Sequence, residues 1–428
     1  MQVFRNATLP DGRRRDVAVE GETIVAVERN LFGEEEIDAT GKRLFPGMVD
    51  VHVHFRQPGF PQKETWATGS RAAAAGGVTT VVDQPNTDPP TVDGDAFDQK
   101  VTLAADSLVD FGINGGVVPG WNPEELFSKP LFALGEVFLA DSTGDMGIEA
   151  DLFEEALKRA AESDTIVTIH AEDADCFDED ATDRNDAAAW SAYRPPKAEA
   201  NAVAEAVEVA EDVDVRIHIA HASTPESIDR AAAGGATTEV TPHHLFLSTD
   251  DLDELGTFGR MNPPLRDEQR RLAVYDRVAD GTVDLIATDH APHTRAEKDT
   301  DIWSAPSGVP GVETALPLLL EEARQGRLSY ERVRDLTAAN PAAIFDLPDK
   351  GRIEARADAD LVLVDPDATR EIRGEDLHGK TDWTPFEGMT GVFPELTMVR
   401  GEVVWEADEP GSSQGTFGES AGRNVRTA

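Results

Sequence analysis

The feature that most constrains the fold is a regular alternation of short β-rich apolar runs with longer helical segments between Gly47 and about Phe345. This alternation is typical of βαβ units built around a parallel sheet. The runs predicted to form strands are Met48–His54, Val78–Val82, Val109–Val118, Ala133–Leu139, Thr165–His170, Val215–His221, Thr237–Thr241 and Val283–Thr288. Alanine-rich segments predicted to be helical lie between them: Lys63–Ala75, Asp151–Ala161, Ala198–Ala210 and Ser223–Ala233. Eight strands alternating with helices predict an α/β fold, a (β/α)8 TIM-type barrel.

The segments on either side of this region have a different pattern. Short alternating runs such as Thr23–Val27 occur in residues 1–46, and similar runs such as Leu396–Trp405 occur in residues 346–407. We therefore expect a small β domain formed from both termini, beside a barrel domain over residues 47–345. Residues 408–428 are rich in Gly, Ser and charge, which predicts a disordered tail.

The chain is extremely acidic, with 82 acidic residues against 39 basic ones and a formal net charge of −43. This charge opposes binding to nucleic acid or to an anionic membrane surface. In molar salt the Debye length falls to roughly 3 Å, so repulsion between surface carboxylates is screened. The composition therefore predicts a halophilic protein that binds neither nucleic acid nor membranes.

Cysteine content and hydropathy bound the setting of the protein. Cys176 is the only cysteine, which excludes an intrachain disulfide and a sulfur-ligated zinc site. No run approaches the roughly 18 continuous apolar residues of a membrane span. We therefore expect a cytoplasmic protein.

Histidines mark the ends of several predicted strands. His52 and His54 are two residues apart at the end of the first strand, so they point to the same face and can share one metal ion. His170 and His221 end the fifth and sixth strands, and Asp289 follows the eighth. The carboxyl ends of the strands in such a barrel meet at one mouth, where active sites lie. Imidazole and carboxylate together form a ligand set expected of zinc.

Other histidines compete for these roles. His218 lies three residues before His221 and faces the opposite way in a strand, and His221 is preferred because it is nearer the strand end. His243 and His244 follow the seventh strand, where packing or loop roles are favoured, and His378 lies outside the barrel.

Several motifs together resemble the dihydroorotases of the amidohydrolase superfamily. The matching segments are His52–Gly59, Lys63–Thr65, Gly76–Thr80, Gln84–Thr87, Asn262–Arg266, Asp289–His293 and Ser307–Gly311. The resemblance spans most of residues 40–405, and the combination is specific, whereas the His-x-His pair alone would indicate only the superfamily.

The resemblance implies a site with two zinc ions that opens a cyclic amide reversibly. By this resemblance, one zinc would be bound by His52, His54 and Asp289, and the second by His170 and His221. Two zinc ions lower the pKa of a shared water to about 7, and Asp289 would carry its proton to the departing amide nitrogen.

Substrate contacts follow from the same resemblance. Arg56, Asn86 and His293 would grip the carboxylate of dihydroorotate or N-carbamoyl-aspartate, and Asn262 would hydrogen-bond the ring. The planar fork of an arginine suits a carboxylate for the same physical reason.

One position departs from the pattern of many binuclear members, which bridge their metals with a carboxylated lysine at the end of strand four. Glu136 stands at that point and is expected to bridge, because a glutamate already offers two anionic oxygens. Asp141, just past the strand, is the rival bridging ligand. A structural Glu136 beside a single metal is the remaining alternative.

Two other functions remain open at this stage. An allantoinase or hydantoinase would share the metal scaffold without needing this carboxylate grip. A non-catalytic amidohydrolase scaffold would bind a partner enzyme, but such copies usually lose ligands. A homo-oligomer and an association with aspartate transcarbamoylase are both compatible with an active enzyme.

Overall fold

The computed structural model describes residues 1–140, 146–419 and 422–427. Its strands, in chain order, are β1 Gln2–Thr8, β2 Arg14–Glu20, β3 Thr23–Glu28, β4 Glu35–Asp38, β5 Arg43–Pro46, β6 Met48–Val53, β7 Val78–Asp83, β8 Asp110–Ile113, β9 Leu134–Phe138, β10 Val167–His170, β11 Ile217–Ile219, β12 Thr237–Val240, β13 Leu285–Ile286, β14 Leu361–Glu371, β15 Thr390–Val399, β16 Glu402–Ala407 and β17 Gly415–Phe417.

The α-helices of the described residues are Trp66–Ala75, Gly94–Ala104, Pro123–Leu126, Ala150–Glu162, Ala189–Tyr193, Pro196–Val213, Pro225–Ala233, Pro242–Phe246, Leu252–Leu255, Glu268–Asp280, Arg295–Lys298, Ala315–Arg324, Tyr330–Arg334 and Asn340–Ile344. No helix in this part of the chain is long and apolar enough to cross a membrane.

Strands β6 to β13 form the predicted barrel. All neighbouring pairs are parallel, with β6, β7 and β8 in one run and β9 to β13 in a second. Isolated parallel bridges between Gly115 and Leu134 and between Val53 and His290 join the two runs at both seams. The (β/α)8 barrel predicted from the alternation is therefore confirmed, and each predicted strand has an observed counterpart.

Local sequence explains why the barrel helices form where they do. In the helix Ala150–Glu162, the buried residues Phe153, Ala156, Leu157 and Ala160 recur at helical spacing and form one apolar face. Thr65 caps the helix Trp66–Ala75 by accepting from the backbone N–H of Thr68. By contrast, every residue of β7 is buried, as expected for a strand covered on both faces.

Both termini contribute to a separate β-sheet, as predicted. Its order is β17–β16–β15–β14–β5–β1–β2–β3, and β4 pairs with β1. The connection is direct, because β5 ends at Pro46 and β6 begins two residues later at Met48. Gly47 donates to the carbonyl of Asp360 at 2.9 Å, which attaches the first barrel strand to this sheet.

The prediction of a disordered tail after residue 407 is wrong for the described residues. Strand β17 pairs with β16, and the Phe417 ring lies 4.7 Å from that of Trp405. Further on, the Val425 N–H donates to the Phe111 carbonyl at 2.9 Å, and Arg426 donates to backbone carbonyls of the barrel. These contacts are mostly backbone and arginine hydrogen bonds, which leave no apolar periodicity in the sequence.

Candidate metal centre and active site

The carboxyl ends of five barrel strands, β6, β9, β10, β11 and β13, bring imidazoles and carboxylates together. The rings of His52 and His54 are 5.2 Å apart, those of His52 and His221 are 5.4 Å apart, and those of His170 and His221 are 4.7 Å apart. All four histidines are buried. The predicted strand-end histidines therefore form one continuous cluster at the mouth of the barrel.

Glu136 lies at the centre of this cluster. Its Oε1 is 2.5 Å from Nε2 of His221 and 3.1 Å from Nδ1 of His170, while its Oε2 is 3.4 Å from Nε2 of His52. Two sets of candidate ligands, each with donor atoms within 4.8 Å of one another, share this glutamate. This is the position that a bridging carboxylate would occupy, whereas the rival Asp141 lies outside the described residues.

Asp289 closes the cluster on the side of the first strand. Its Oδ1 is 2.9 Å from Nε2 of His54 and 3.5 Å from Nε2 of His52. Asp289, His221 and Arg56 all have positive φ angles, of 44°, 36° and 63°. Non-glycine residues rarely adopt this conformation, and they concentrate at functional sites where the surroundings enforce it.

The donor set fits divalent metal ions. Among the described residues, Nε2 of His52 and Nδ1 of His221 are buried without a hydrogen-bond partner. Nδ1 of His170 also faces Nε2 of His221 at 3.1 Å. If both nitrogens act as metal ligands, neither carries a hydrogen, so they cannot form a hydrogen bond with each other. Converging imidazole nitrogens with two carboxylates match the nitrogen and oxygen ligands of metal-dependent hydrolases.

The buried imidazoles and carboxylates of the cluster shift one another's pKa values. Burial opposes ionisation of Glu136, but His52 and His221 outweigh it and hold the pKa of Glu136 well below its ordinary value. Burial likewise opposes charge on His170, but its contacts with Glu136 and Glu172 raise the pKa of His170 to about 9. The buried carboxylates therefore favour positive charge within the cluster. Protonated histidines can supply this charge, and so can bound metal cations.

The structure reveals two carboxylates behind the cluster that the sequence did not single out. Oε1 of Glu239, in β12, lies 2.6 Å from Nδ1 of His52 and accepts from the backbone N–H of His221 at 3.1 Å. Oε2 of Glu172 lies 2.9 Å from Nε2 of His170. A charged residue inside a buried parallel strand is unusual, so the position of Glu239 within the β-branched run Thr237–Val240 was the available signal.

A small cavity opens beside the cluster. Its lining includes His54, Arg56, Asn86, Glu136, His170, His221, Asn262, Asp289, Ser307 and Gly308. The predicted metal-binding and substrate-binding side chains thus meet at one cavity, with two exceptions. His52 and His293 are in contact with the lining residues but do not line the cavity themselves.

Arg56 is a buried cation on the cavity wall, 3% exposed. Its Nε donates to the carbonyl of Pro292 at 3.3 Å, and its Nη2 lies 3.2 Å from Nε2 of His293. No carboxylate of the described residues lies within 4.0 Å of this guanidinium. Burial lowers the pKa of Arg56 to about 10, which leaves it charged at neutral pH. A buried guanidinium without a protein anion is suited to an anionic ligand.

Two asparagines flank the cavity in different ways. Oδ1 of Asn86 lies 2.7 Å from Nδ1 of His54, so Asn86 orients a candidate metal ligand as well as lining the cavity. Asn262 accepts from the indole N–H of Trp190 at 2.9 Å, which fixes the orientation of its side-chain amide.

The other histidines take supporting positions. Nε2 of His218 lies 3.1 Å from Glu239, behind the cluster. His244 lies between Thr241 and the Pro263 carbonyl, at 2.9 Å from each. His378 contacts Glu313, outside the cavity.

Comparison with known proteins agrees with this geometry. Residues 43–404 match the amidohydrolase family, and the chain belongs to that family. It is 65% identical over 428 residues to the dihydroorotase of Halobacterium salinarum, covering all of both chains. It is 46% identical over 407 residues to the dihydroorotase of Methanosarcina mazei, covering 90% of this chain and 89% of that protein. Among solved structures, it is similar to the L-hydantoinase of Arthrobacter aurescens, with a TM-score of 0.92, 28% identity and 99% of each chain covered.

Proposed function

We propose that this protein is a zinc-dependent dihydroorotase that interconverts N-carbamoyl-L-aspartate and L-dihydroorotate. The observation that carries the proposal is Arg56, a buried guanidinium that faces the cavity with no carboxylate partner among the described residues. Both molecules carry a carboxylate that this fork can bind through two parallel hydrogen bonds. The full-length similarity to dihydroorotases of other archaea supports the same substrate.

The ligand assignment divides the cluster between two metal positions. His52, His54 and Asp289 would hold one ion, His170 and His221 the other, and Glu136 would join them. Two bound zinc ions supply a water of lowered pKa and polarise the amide carbonyl. We propose zinc because imidazole and carboxylate ligands without sulfur are the set found in zinc hydrolases.

Asp289 is the residue that we propose moves the proton. A carboxylate oxygen of Asp289 accepts the proton of the attacking water, and the same carboxyl group then donates it to the ring nitrogen as the carbon–nitrogen bond breaks. His54, at 2.9 Å, and His52, at 3.5 Å, keep this carboxylate ionised at the start of the cycle and lower its pKa despite burial. The reverse sequence closes the ring.

Substrate orientation follows from the cavity walls. Arg56 binds the carboxylate at one side, and Asn262, held by Trp190, donates to or accepts from the ring amide groups. His293 contributes through Arg56, whose position it supports at 3.2 Å. Fixing the ring at both points places the scissile carbonyl against the cluster.

An allantoinase or hydantoinase is the alternative activity, since the fold is shared with a hydantoinase. Those substrates lack the carboxylate that a buried Arg56 would bind. A non-catalytic scaffold is not favoured, because the described ligand residues all converge on one cluster. The oligomeric state and an association with aspartate transcarbamoylase stay predictions.

The deciding experiment measures hydrolysis of dihydroorotate, allantoin and hydantoin by the zinc-loaded protein in molar salt. Turnover of dihydroorotate, with little on the other two compounds, is the expected result. Turnover of allantoin or hydantoin without dihydroorotate would overturn the proposal in favour of the alternative, and inactivity on all three with full metal loading would favour a scaffold.

A further inference from the structure

Lys298 is a buried lysine, with no exposed surface, that ends the short helix Arg295–Lys298. Its Nζ donates to three backbone carbonyls: that of Arg260 at 2.9 Å, that of Pro306 at 2.9 Å and that of Gly308 at 3.2 Å. Three acceptors satisfy the three N–H groups of an ammonium. No carboxylate of the described residues forms an ion pair with it.

Such an arrangement is costly for the fold. Burial, with a smaller contribution from Arg260, lowers the pKa of Lys298 well below its ordinary value. An apolar residue could fill the same space without the cost of burying a charge. The ammonium therefore serves to bring together the carbonyls that surround it.

Those carbonyls belong to two segments of the cavity wall. Arg260 is two residues before Asn262, and Pro306 and Gly308 flank Ser307. Asn262, Ser307 and Gly308 all line the cavity. The Gly308 N–H also donates to the Arg260 carbonyl at 3.0 Å, so the two segments are in direct contact where Lys298 joins them.

The joined segments are tied to the rest of the substrate site. Nε2 of His293 lies 2.9 Å from the Ser307 carbonyl and 3.2 Å from Arg56. Gly308 has a φ of +128°, and a Cβ there would lie 2.6 Å from the Ala291 carbonyl oxygen. The wall is therefore packed closely on the loop after β13, and a small shift would be transmitted to the guanidinium of Arg56.

We propose that Lys298 is a positioning residue that holds the Asn262 wall and the Ser307–Gly308 wall at the spacing needed to bind the substrate ring. It touches neither the cavity nor the metal cluster, and it acts through backbone carbonyls. This inference rests on the proposed function, because that function names dihydroorotate as the substrate. The role of Lys298 in joining the two walls can be tested without measuring turnover.

The test replaces Lys298 by methionine, which keeps most of the apolar stem and removes the ammonium. We expect Lys298→Met to raise KM for dihydroorotate roughly tenfold to a hundredfold with a smaller change in kcat, because substrate orientation is lost while the metal cluster stays intact. Metal content should equal that of the wild type. Backbone amides of residues 258–262 and 307–309 should exchange hydrogen with solvent faster.

A matched control is Lys158→Met, because Lys158 is an exposed lysine whose one ion pair within the described residues is with Glu154 on its own helix. It should leave KM and amide exchange unchanged. Unchanged KM and unchanged exchange in Lys298→Met would overturn the proposal. So would a lower melting temperature with a wild-type KM, which is the signature of a merely structural lysine.

Lys298→Gln provides a second variant, since its amide can donate two of the three hydrogen bonds. We expect a KM between those of the wild type and Lys298→Met. Failure of both variants to fold would show that Lys298 is required for folding, and it would overturn the proposal that Lys298 acts only by positioning the two walls. If the wild type turns over allantoin instead of dihydroorotate, the proposed function fails, but the exchange comparison still decides whether Lys298 joins the two walls.

Discussion

Oε1 of Glu239 lies 2.6 Å from Nδ1 of His52, and the same oxygen accepts from the backbone N–H of His221 at 3.1 Å. One carboxylate thus orients candidate ligands of both metal positions. His52 and His218 outweigh the effect of burial and lower the pKa of Glu239 to about 2, so it is ionised at neutral pH. Partners of this kind fix the tautomer and ring direction of a ligating histidine.

We predict that Glu239→Gln weakens metal binding by roughly tenfold to a hundredfold, because the amide no longer supplies the charge that orients His52. Zinc content after dialysis against a chelator of graded concentration measures this affinity. Glu208→Gln, at an exposed position on the helix Pro196–Val213, is the matched control. Wild-type metal affinity in Glu239→Gln would contradict a role in orienting the ligands.

Glu136→Gln should lower the metal content from two ions per chain to one or fewer. The reason is that Glu136 belongs to both candidate ligand sets, and its amide would lose the anionic oxygens that face His52 and His221. Elemental analysis of the purified protein measures the stoichiometry. One ion per chain in both the wild type and the variant would indicate a structural glutamate beside a mononuclear site.

Arg56→Met should raise KM for dihydroorotate by roughly tenfold to a hundredfold while metal content stays unchanged. A hydrogen bond to a charged group contributes about 1.5–3 kcal/mol, and this is the interaction that the substrate carboxylate would lose. Steady-state kinetics in molar salt measures the change. The control is Arg184→Met, at a surface arginine whose ion-pair partner among the described residues is Asp186. An unchanged KM would remove the main argument for a carboxylate substrate.

Much of the fold and the metal cluster could be predicted from the sequence because the signals are local. A buried parallel strand such as Val78–Asp83 is rich in β-branched residues, and the barrel geometry places every strand end at one mouth. His52, His170 and His221 therefore converge in the structure as strand position alone requires.

The rest depends on contacts between distant segments. Glu239 reaches His52 across 187 residues of chain, and Lys298 reaches Arg260 across 38, and no periodic pattern records either pairing. The order of the C-terminal segment likewise rests on backbone hydrogen bonds such as that from Val425 to Phe111. Side chains that hold other residues in place are therefore harder to predict from sequence than those at strand ends.

His244 should make folding stability depend on pH below neutrality. Burial, reinforced by His243, lowers the pKa of His244 well below its ordinary value of 6.5, so the folded state keeps it neutral while the unfolded state binds a proton below about pH 6.5. Its contribution to stability is therefore present above pH 6.5 and is lost as pH falls toward the folded pKa.

The expected loss is at most about 1.4 kcal/mol for each pH unit below 6.5. His244→Gln removes the titrating group, so its unfolding free energy should fall less steeply between pH 6.5 and pH 5 than that of the wild type. Denaturant unfolding at constant salt and saturating zinc measures both slopes. Equal slopes would mean that folding does not lower the pKa of His244.

The surface charge predicts that the folded state requires salt. A net charge of −43 implies strong self-repulsion in dilute buffer, which is screened when the Debye length falls from about 10 Å at 0.1 M to about 3 Å at 1 M salt. We therefore expect the melting temperature to rise by several degrees between dilute and molar potassium chloride. A melting temperature independent of salt would contradict halophilic adaptation.

Concentrated salt can stabilise the protein in two ways: it screens repulsion between surface carboxylates, and it strengthens the burial of apolar surface. A charge-reversal variant can separate these two effects. Glu205, Glu208 and Asp212 are exposed on one face of the helix Pro196–Val213, and they form no ion pair within the described residues. Changing all three to lysine makes the net charge less negative by six, since each reversal adds two positive units. If screening causes the salt dependence, this variant should melt at a higher temperature than the wild type in dilute buffer, and the difference should shrink in molar salt. A constant difference between the two proteins across the salt range would instead point to exclusion of salt from the protein surface.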